Sequence, residues 1–153
     1  MMKLNYKGFT LVELLAVIAI MGMLAVIMVP TISGVIEENK TNNSENLTNS
    51  IKSSARAYIS DNRYEIKLDD SSCDNNNTNT RYITSIGTGK NLQEITNSNI
   101  SVLILVSKGY LKSNSGEIID PKTNKSIDKN KSYIKVTYDC SSKDFKYGKP
   151  HIE

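Results

Sequence analysis

A long uncharged stretch, from Leu14 to Val29, begins directly after a glutamate, Glu13. As a helix, the segment from Phe9 to Val29 spans roughly 30 Å, which is the thickness of the hydrocarbon core of a bilayer. An acidic side chain at the centre of a membrane helix costs roughly 2.5 to 3.5 kcal/mol on insertion scales, and such a residue is usually functional. The sequence therefore predicts one membrane crossing and a partner for Glu13.

Charged residues on either side of this stretch indicate its orientation. Lys3 and Lys7 precede it, and Glu37 and Glu38 follow it. Because basic residues accumulate on the cytoplasmic side of membrane helices, we expect the amino terminus inside and the remainder outside. An ordinary secretory signal peptide is the simpler alternative, but "VPTISG" after the apolar stretch lacks the small-residue cleavage site of such signals.

Residues 7–15, "KGFTLVELL", resemble the class III signal of type IV prepilins and related pseudopilins. In that family a membrane-embedded prepilin peptidase cuts after the glycine, removes the short basic leader and methylates the new amino terminus. The resemblance implies cleavage between Gly8 and Phe9, N-methylation of Phe9, and a role for Glu13 as the family's glutamate at mature position five. Pro30 falls where the family usually has a helix-kinking proline.

Cleavage before Phe9 would leave a cationic amine, and pairing it with the Glu13 carboxylate would offset the cost of placing both groups in lipid. The two residues stand at i and i+4, so a contact within one chain is feasible. The family implies a second arrangement, in which Glu13 neutralises the amine of a neighbouring subunit during filament assembly. A third explanation is a carboxylate stabilised only by the dipole at a helix N-terminus.

Gly22, Pro30 and Gly34 interrupt the apolar helix with weak helix formers. Proline removes a hydrogen bond, and glycine costs about 1 kcal/mol relative to alanine, so we expect residues 22–34 to bend or unwind locally. In the resembling family a melted segment of this kind takes part in filament packing. The alternative is a kink without a role.

Apolar residues beyond Pro30 recur at spacings of three and four, which predicts an amphipathic helix to about Asp61 that packs on a sheet. These residues are Ile32, Val35, Ile36, Leu47, Ile51, Ala55, Tyr58 and Ile59. The predicted fold class is α+β, with a long N-terminal helix packed on a small antiparallel β-sheet head, as in the type IV pilin fold. The predicted regions are a removed leader (1–8), a transmembrane and filament-core half of the helix (9–30), its amphipathic half (31–61) and an extracytoplasmic head (62–153).

Four local patterns in the head predict its elements. "RYITSI" is typical of a strand, and residues 98–108 of a short helix capped by Gly109. "DPKTN" places a turn after a short strand, and "SYIKVTYDCSSKDFKYG" alternates like a hairpin with its turn near Ser141 and Ser142. The combination of "KGYLK" and "DPKTN" resembles heads of pilins and pseudopilins from low-GC Gram-positive bacteria.

Cys73 and Cys140 are the only two cysteines, and both lie in the predicted outer part. Two extracytoplasmic cysteines favour a disulfide over two free thiols. By the chain-entropy model such a bridge would contribute about 4 kcal/mol. Two sulfurs and one distant histidine do not provide a tetrahedral zinc site.

Catalytic and cofactor chemistry has little support in this sequence. The sole histidine, His151, stands near the carboxyl end, so a nucleophile has no obvious base. The acidic residues Asp69, Asp70 and Asp74 lack the spacing of an EF-hand. A net charge of +3 with interspersed signs gives no electrostatic footprint for nucleic acid. We therefore predict no enzyme, no metal, no cofactor and no nucleic-acid partner.

The functional prediction is a structural subunit of a type IV pilus, with other pilin subunits and prepilin peptidase as partners. It would first be a single-pass membrane protein and then part of an extracellular filament for adhesion, motility or biofilm. One alternative is a pseudopilin of a competence or type II secretion-like apparatus, and the length of the head favours a pilin over a competence pseudopilin. The other is a monomeric membrane-anchored binding module, which gains least from a buried Glu13.

Overall fold

The computed structural model describes residues 9–70, residue 73 and residues 80–153, and at residues 27–31 it describes the backbone alone. The chain divides into two compact units, Met1–Thr41 and Asn42–Glu153. The described elements are α1 (Leu11–Asp61), a 3-10 turn (Arg63–Glu65), β1 (Ile66–Leu68), β2 (Thr80–Ile86), a second 3-10 turn (Gly89–Asn91), β3 (Gln93–Glu94), β4 (Asn99–Ser101), α2 (Val102–Ser107), β5 (Ile119–Asp120), β6 (Lys125–Ser126), β7 (Tyr133–Asp139) and β8 (Asp144–Tyr147).

The long helix α1 ends at Asp61, as its apolar periodicity predicts. The expected local unwinding between residues 22 and 34 is not present, because helical backbone continues through all of these positions. Proline at position 30 removes one N–H donor, and the hydrogen bonds before and after it maintain the helix.

The apolar stripe of α1 has two different environments. Ile51, Ala55 and Ile59 are at most 2% exposed and belong to the core of the head. By contrast, Ile32 and Val35 are more than half exposed. Packing on the sheet therefore accounts for the carboxyl-terminal part of the stripe, and the prediction of a long helix packed on an antiparallel sheet is confirmed.

The central strand of the described sheet is β7. It pairs in antiparallel fashion with β2, β4 and β8, while β1 and β3 pair with β2. Alternating side chains of the strands meet α1 and α2 in a core formed by Ile51, Ala55, Tyr58, Ile59, Ile83, Ile86, Ile95, Ile100, Val102, Leu105, Leu111, Ile118, Ile127, Ile134 and Val136. The β5–β6 hairpin and the β7–β8 hairpin lie where the turn patterns predict them.

A buried serine joins two strands where the partner of β7 changes from β2 to β4. Ser98 Oγ accepts a hydrogen bond from Ile83 N at 2.6 Å, and its carbonyl oxygen accepts one from Val136 N at 2.9 Å. Asn97 and Ser98 have φ values of 54° and 59°, in the left-handed region that costs non-glycine residues energy. The two hydrogen bonds hold this turn and satisfy strand donors that would otherwise be buried without partners.

The helix predicted over residues 98–108 is shorter in the structure, because its first residues form the strand β4. Asn99–Ser101 pairs with β7, and α2 starts only at Val102, where Ser101 Oγ accepts a hydrogen bond from Leu103 N at 3.1 Å. The serine acts as an N-cap and so separates strand from helix. Gly109 follows the helix with φ of 80°, as a glycine that ends a helix does.

The β7–β8 turn carries a disulfide and a buried carboxylate. Cys73 and Cys140 are bonded, with an S–S distance of 2.03 Å and a Cα–Cα distance of 5.6 Å. Beside them, Asp139 Oδ1 accepts hydrogen bonds from the backbone N–H groups of Ser141 and Ser142 at 2.8 and 3.2 Å. The ion pair with Lys146 and these N–H groups hold the pKa of the Asp139 carboxyl below its usual range.

The first prediction concerns Ser98. Ser98→Ala leaves the buried Ile83 N–H without its acceptor, which should lower the free energy of unfolding by about 1–3 kcal/mol. Urea unfolding of the full chain in detergent, followed by near-ultraviolet circular dichroism of the tyrosines, measures this. Ser142→Ala, at an exposed position of the β7–β8 turn, is the matched control and should have little effect. Equal stability of the two variants would contradict the structural role of the Ser98 hydroxyl.

The second prediction concerns the cysteines of the native protein. Peptide mapping without reduction should recover one linked pair that contains Cys73 and Cys140. Cys140→Ser should lower the free energy of unfolding by up to about 4 kcal/mol, because the bridge closes a long loop. Alkylation of both thiols without prior reduction would show that the bridge is absent.

Candidate functional site

Thr10 and Glu13 close the amino-terminal end of α1 through reciprocal hydrogen bonds. Thr10 Oγ1 accepts from Glu13 N at 3.2 Å. In return, Glu13 Oε2 accepts from Thr10 N and from Thr10 Oγ1, each at 3.2 Å. This is a capping box, in which the threonine is the N-cap and the glutamate lies three residues later. It satisfies backbone donors that the first turn of a helix leaves unpaired.

The capping box gives Glu13 a partner inside the isolated chain. That partner is Thr10, whereas the intrachain contact considered from the sequence was the Phe9 amine. Glu13 is exposed and stands in the first turn of α1, where the helix dipole also favours a negative charge. The carboxylate is thus accessible to a second molecule while it caps its own helix.

Large apolar side chains surround the helix that follows. Between Phe9 and Val26 their exposed fractions range from 44% to 85%. They are Phe9, Leu11, Val12, Leu14, Leu15, Val17, Ile18, Ile20, Met21, Met23, Leu24 and Val26. Successive helical positions differ by about 100°, so these side chains point in every direction around the axis. A contiguous apolar surface of this kind marks a site of contact with protein or lipid.

Among the residues that the structure describes, no helix combines the length and the apolar character needed to cross a membrane.

Gly8, Gly22 and Pro30 are the other positions of this segment to which the sequence assigns a role. Gly8 and the rest of the leader lie outside the described residues. A Cβ atom added at Gly22 would meet no heavy atom within 4 Å, so packing inside the described chain does not require a glycine there. Pro30 lies within the helical backbone of α1.

Asp69 and His151, two of the residues weighed above for metal binding or catalysis, have structural contacts. Asp69 Oδ1 accepts a hydrogen bond from Tyr82 N at 2.9 Å and lies 3.8 Å from Arg81 Nε. His151 pairs with Tyr133 through backbone hydrogen bonds, and the two rings lie 5.0 Å apart. Asp74 lies outside the described residues. Within the ranges that the structure describes, no group of three metal-ligating side chains comes together.

The sequence analysis did not predict the capping box of Thr10 and Glu13. Its signal was present, since a threonine followed three residues later by a glutamate ahead of an apolar stretch is typical of a helix start. The cost of a carboxylate in lipid favours a charged partner for Glu13, and this partner is the one that the sequence predicts.

The amino-terminal segment matches one protein-family model. The prokaryotic N-terminal methylation motif matches residues 3–29, a segment that includes Gly8, Phe9 and Glu13. Comparison with curated proteins gives no match, and comparison with solved structures gives none either. The matched segment is the one that carries the capping box and the exposed apolar helix. The matched motif supports a type IV prepilin-like protein.

Proposed function

We propose that this protein is a structural subunit of a type IV pilus filament. Residues 1–8 are a leader that a prepilin peptidase removes after Gly8, and Phe9 becomes the N-methylated first residue. Residues 9–30 are the transmembrane and filament-core half of the helix, residues 31–61 its amphipathic half, and residues 62–153 an extracytoplasmic head. The precursor spans the membrane once with its amino terminus inside, and the mature subunit enters an extracellular filament for adhesion, motility or biofilm.

The exposed apolar surface of residues 9–26 carries this proposal, together with the methylation motif. Burial of a large aliphatic or aromatic side chain contributes about 1.5–3 kcal/mol. A surface with such side chains on all sides is suited first to lipid and then to a bundle of identical helices. A monomeric binding module would need the lipid contact but not the second environment.

Glu13 supports the transfer between these two environments. Before assembly its carboxylate is hydrogen-bonded to Thr10. Each such bond to a carboxylate contributes about 1.5–3 kcal/mol. Because only the acceptor is charged, the bond can be exchanged for a contact with the amine of a neighbouring Phe9, in which both partners are charged. We propose that Glu13 makes this exchange during assembly and so sets the register of the incoming subunit.

Gly22 and Pro30 are proposed to serve the packing of helices in the filament core. The empty space around Gly22 in the single chain supports this assignment. Small residues allow backbones of neighbouring apolar helices to approach closely. Pro30 leaves one carbonyl in the preceding turn without its helical donor, which weakens α1 where neighbouring subunits would contact it.

A pseudopilin of a competence or secretion apparatus is the alternative within the same class. It shares the processing and the exposed apolar helix but forms a short assembly that stays at the cell envelope. Long filaments in the sheared surface fraction distinguish the pilus subunit from this alternative.

The third prediction concerns processing. Intact-mass analysis of the native protein from its host should show removal of residues 1–8 and one methyl group on Phe9. Gly8→Ala should leave the full-length chain in the membrane, because the peptidase of this family requires the glycine at that bond. A mature chain that begins beyond Pro30 would instead indicate ordinary signal peptidase and would contradict the proposal.

The fourth prediction separates the capping role of Glu13 from its proposed charge pairing. Glu13→Gln preserves the capping box, since glutamine also serves at that position, but it removes the charge. Thr10→Ala removes the cap, at a cost of about 1 kcal/mol, and keeps the charge. We expect Glu13→Gln to be cleaved normally and to yield few or no filaments, and Thr10→Ala to yield filaments.

Electron microscopy and immunoblots of sheared surface fractions measure this difference. Filaments of native abundance and length from Glu13→Gln would show that the carboxylate acts only as a cap. If the native protein is expressed and processed but never leaves the membrane as a polymer, the filament function itself is wrong.

A further inference from the structure

The head has a cleft lined by two arginines and two aromatic rings. It encloses about 310 Å³ between the end of α1, the turn that follows it, and β8. Its lining consists of Arg56, Ile59, Ser60, Arg63, Asp144, Phe145 and Tyr147. All of these residues belong to the unit Asn42–Glu153. This cleft is separate from the amino-terminal segment that the proposed function uses.

Each arginine of the cleft lies over an aromatic ring. The guanidinium carbon of Arg56 is 5.4 Å from the centre of the Tyr147 ring, and that of Arg63 is 5.9 Å from the centre of the Phe145 ring. Phe145 in turn packs edge-on against Tyr138, with ring centres 5.3 Å apart. Such stacking covers one face of a guanidinium and leaves the N–H groups at its edge available for a carboxylate.

The two arginines differ in the partners that they already have. Arg63 Nη1 lies 3.7 Å from Asp144 Oδ1, and Arg63 Nη2 donates a hydrogen bond to the carbonyl oxygen of Lys143. Arg56 is exposed and has no ion pair within the part of the chain that the structure describes. The cleft therefore presents an oriented cation, Arg56, for an anion from another molecule.

The helix α1 of the same chain carries two adjacent carboxylates that could bind the cation of such a cleft. Glu37 and Glu38 are both exposed, and neither forms an ion pair with a described residue. An open filament is built by heterologous contacts, in which one patch of a subunit meets a different, complementary patch of its neighbour. The arginine–aromatic cleft and the acidic pair Glu37–Glu38 are two such patches.

We propose that the arginine–aromatic cleft of one subunit receives the acidic pair Glu37–Glu38 of a second copy, with Arg56 as the principal contact. This inference rests on the proposed filament function and names a contact between subunits. A single-stranded nucleic acid fits the cleft less well, because its bases stack on aromatic faces and both rings already carry a guanidinium. A carboxylate requires only the edges of the guanidinium groups.

A charge exchange between the two patches tests the proposal in the full chain. Arg56→Glu should place like charges against each other and reduce the yield of sheared filaments about tenfold or more, with normal cleavage of the leader. Glu37→Lys combined with Glu38→Lys should do the same. Joining all three substitutions in one chain should restore the yield to within about threefold of native, because the charges are again complementary. Lys90→Glu, which changes the net charge equally at an exposed position of the second 3-10 turn, should assemble like the native protein.

Each outcome of the charge exchange has a defined meaning. Native filaments with an unaffected Arg56→Glu variant would overturn the contact and leave the filament function intact. A loss in both reversed variants without recovery in the combined variant would show that each patch has another partner, and it would also overturn the inference. Absence of filaments from the native protein would contradict the proposed function instead.

Crosslinking provides a second measurement that does not depend on the yield of reversed variants. Filaments of a chain that carries both Arg56→Cys and Glu38→Cys should give a ladder of covalent oligomers with a short bis-maleimide. Arg56→Cys alone and Glu38→Cys alone should give monomers. A monomer pattern from intact filaments of the double variant would exclude proximity of the two patches.

Discussion

The apolar surface at the amino-terminal end of α1 is the constraint on which the other features depend. A helix with large apolar side chains in every direction cannot remain in water at low free energy, and nothing in the described chain covers residues 9–26. In the proposed function, lipid and a bundle of like helices are the two environments that cover it. Because both exclude water, the one carboxylate in this segment must always have a partner. Thr10 fulfils that requirement in the isolated chain.

The head meets the opposite requirement, since it completes its own core. Ile51, Ala55 and Ile59 of α1 are buried against the sheet and the short helix α2. Ser98 connects β2 with β7 where their direct pairing ends, so the sheet remains hydrogen-bonded through a backbone turn that is costly by itself. In the proposed function, the part of α1 before this core is the part that changes its surroundings.

Most elements of the fold that the sequence predicted correctly follow from the periodicity of its apolar residues. The spacing of Ile51, Ala55 and Ile59 predicted the buried face of α1, and alternation predicted the β7–β8 hairpin, because both patterns follow from local backbone geometry. The short pattern "RYITSI" predicted β2. The strand Asn99–Ser101 was missed because its existence depends on pairing with β7, which is distant in the chain. The role of Ser98 was invisible for the same reason, since a buried hydroxyl between two strands has no local signature. At the functional segment, the motif identified Gly8, Phe9 and Glu13 as the residues to study, whereas hydrogen bonding of Glu13 to Thr10 required coordinates.

In the proposed filament, apolar burial would supply the free energy of association, and charge complementarity would select the register of the subunits. The apolar core supplies most of the free energy of association, but apolar contact is non-directional and tolerates sliding of one helix along another. Charge pairs at exposed positions contribute only about 0–1 kcal/mol each, so they add little strength. Like charges brought together are penalised, however, and a contact that repeats at every subunit applies this penalty to every wrong register. Glu13 at one end of α1 and Arg56 near the other would then act as two register marks, and a subunit that satisfies both has little freedom to slide.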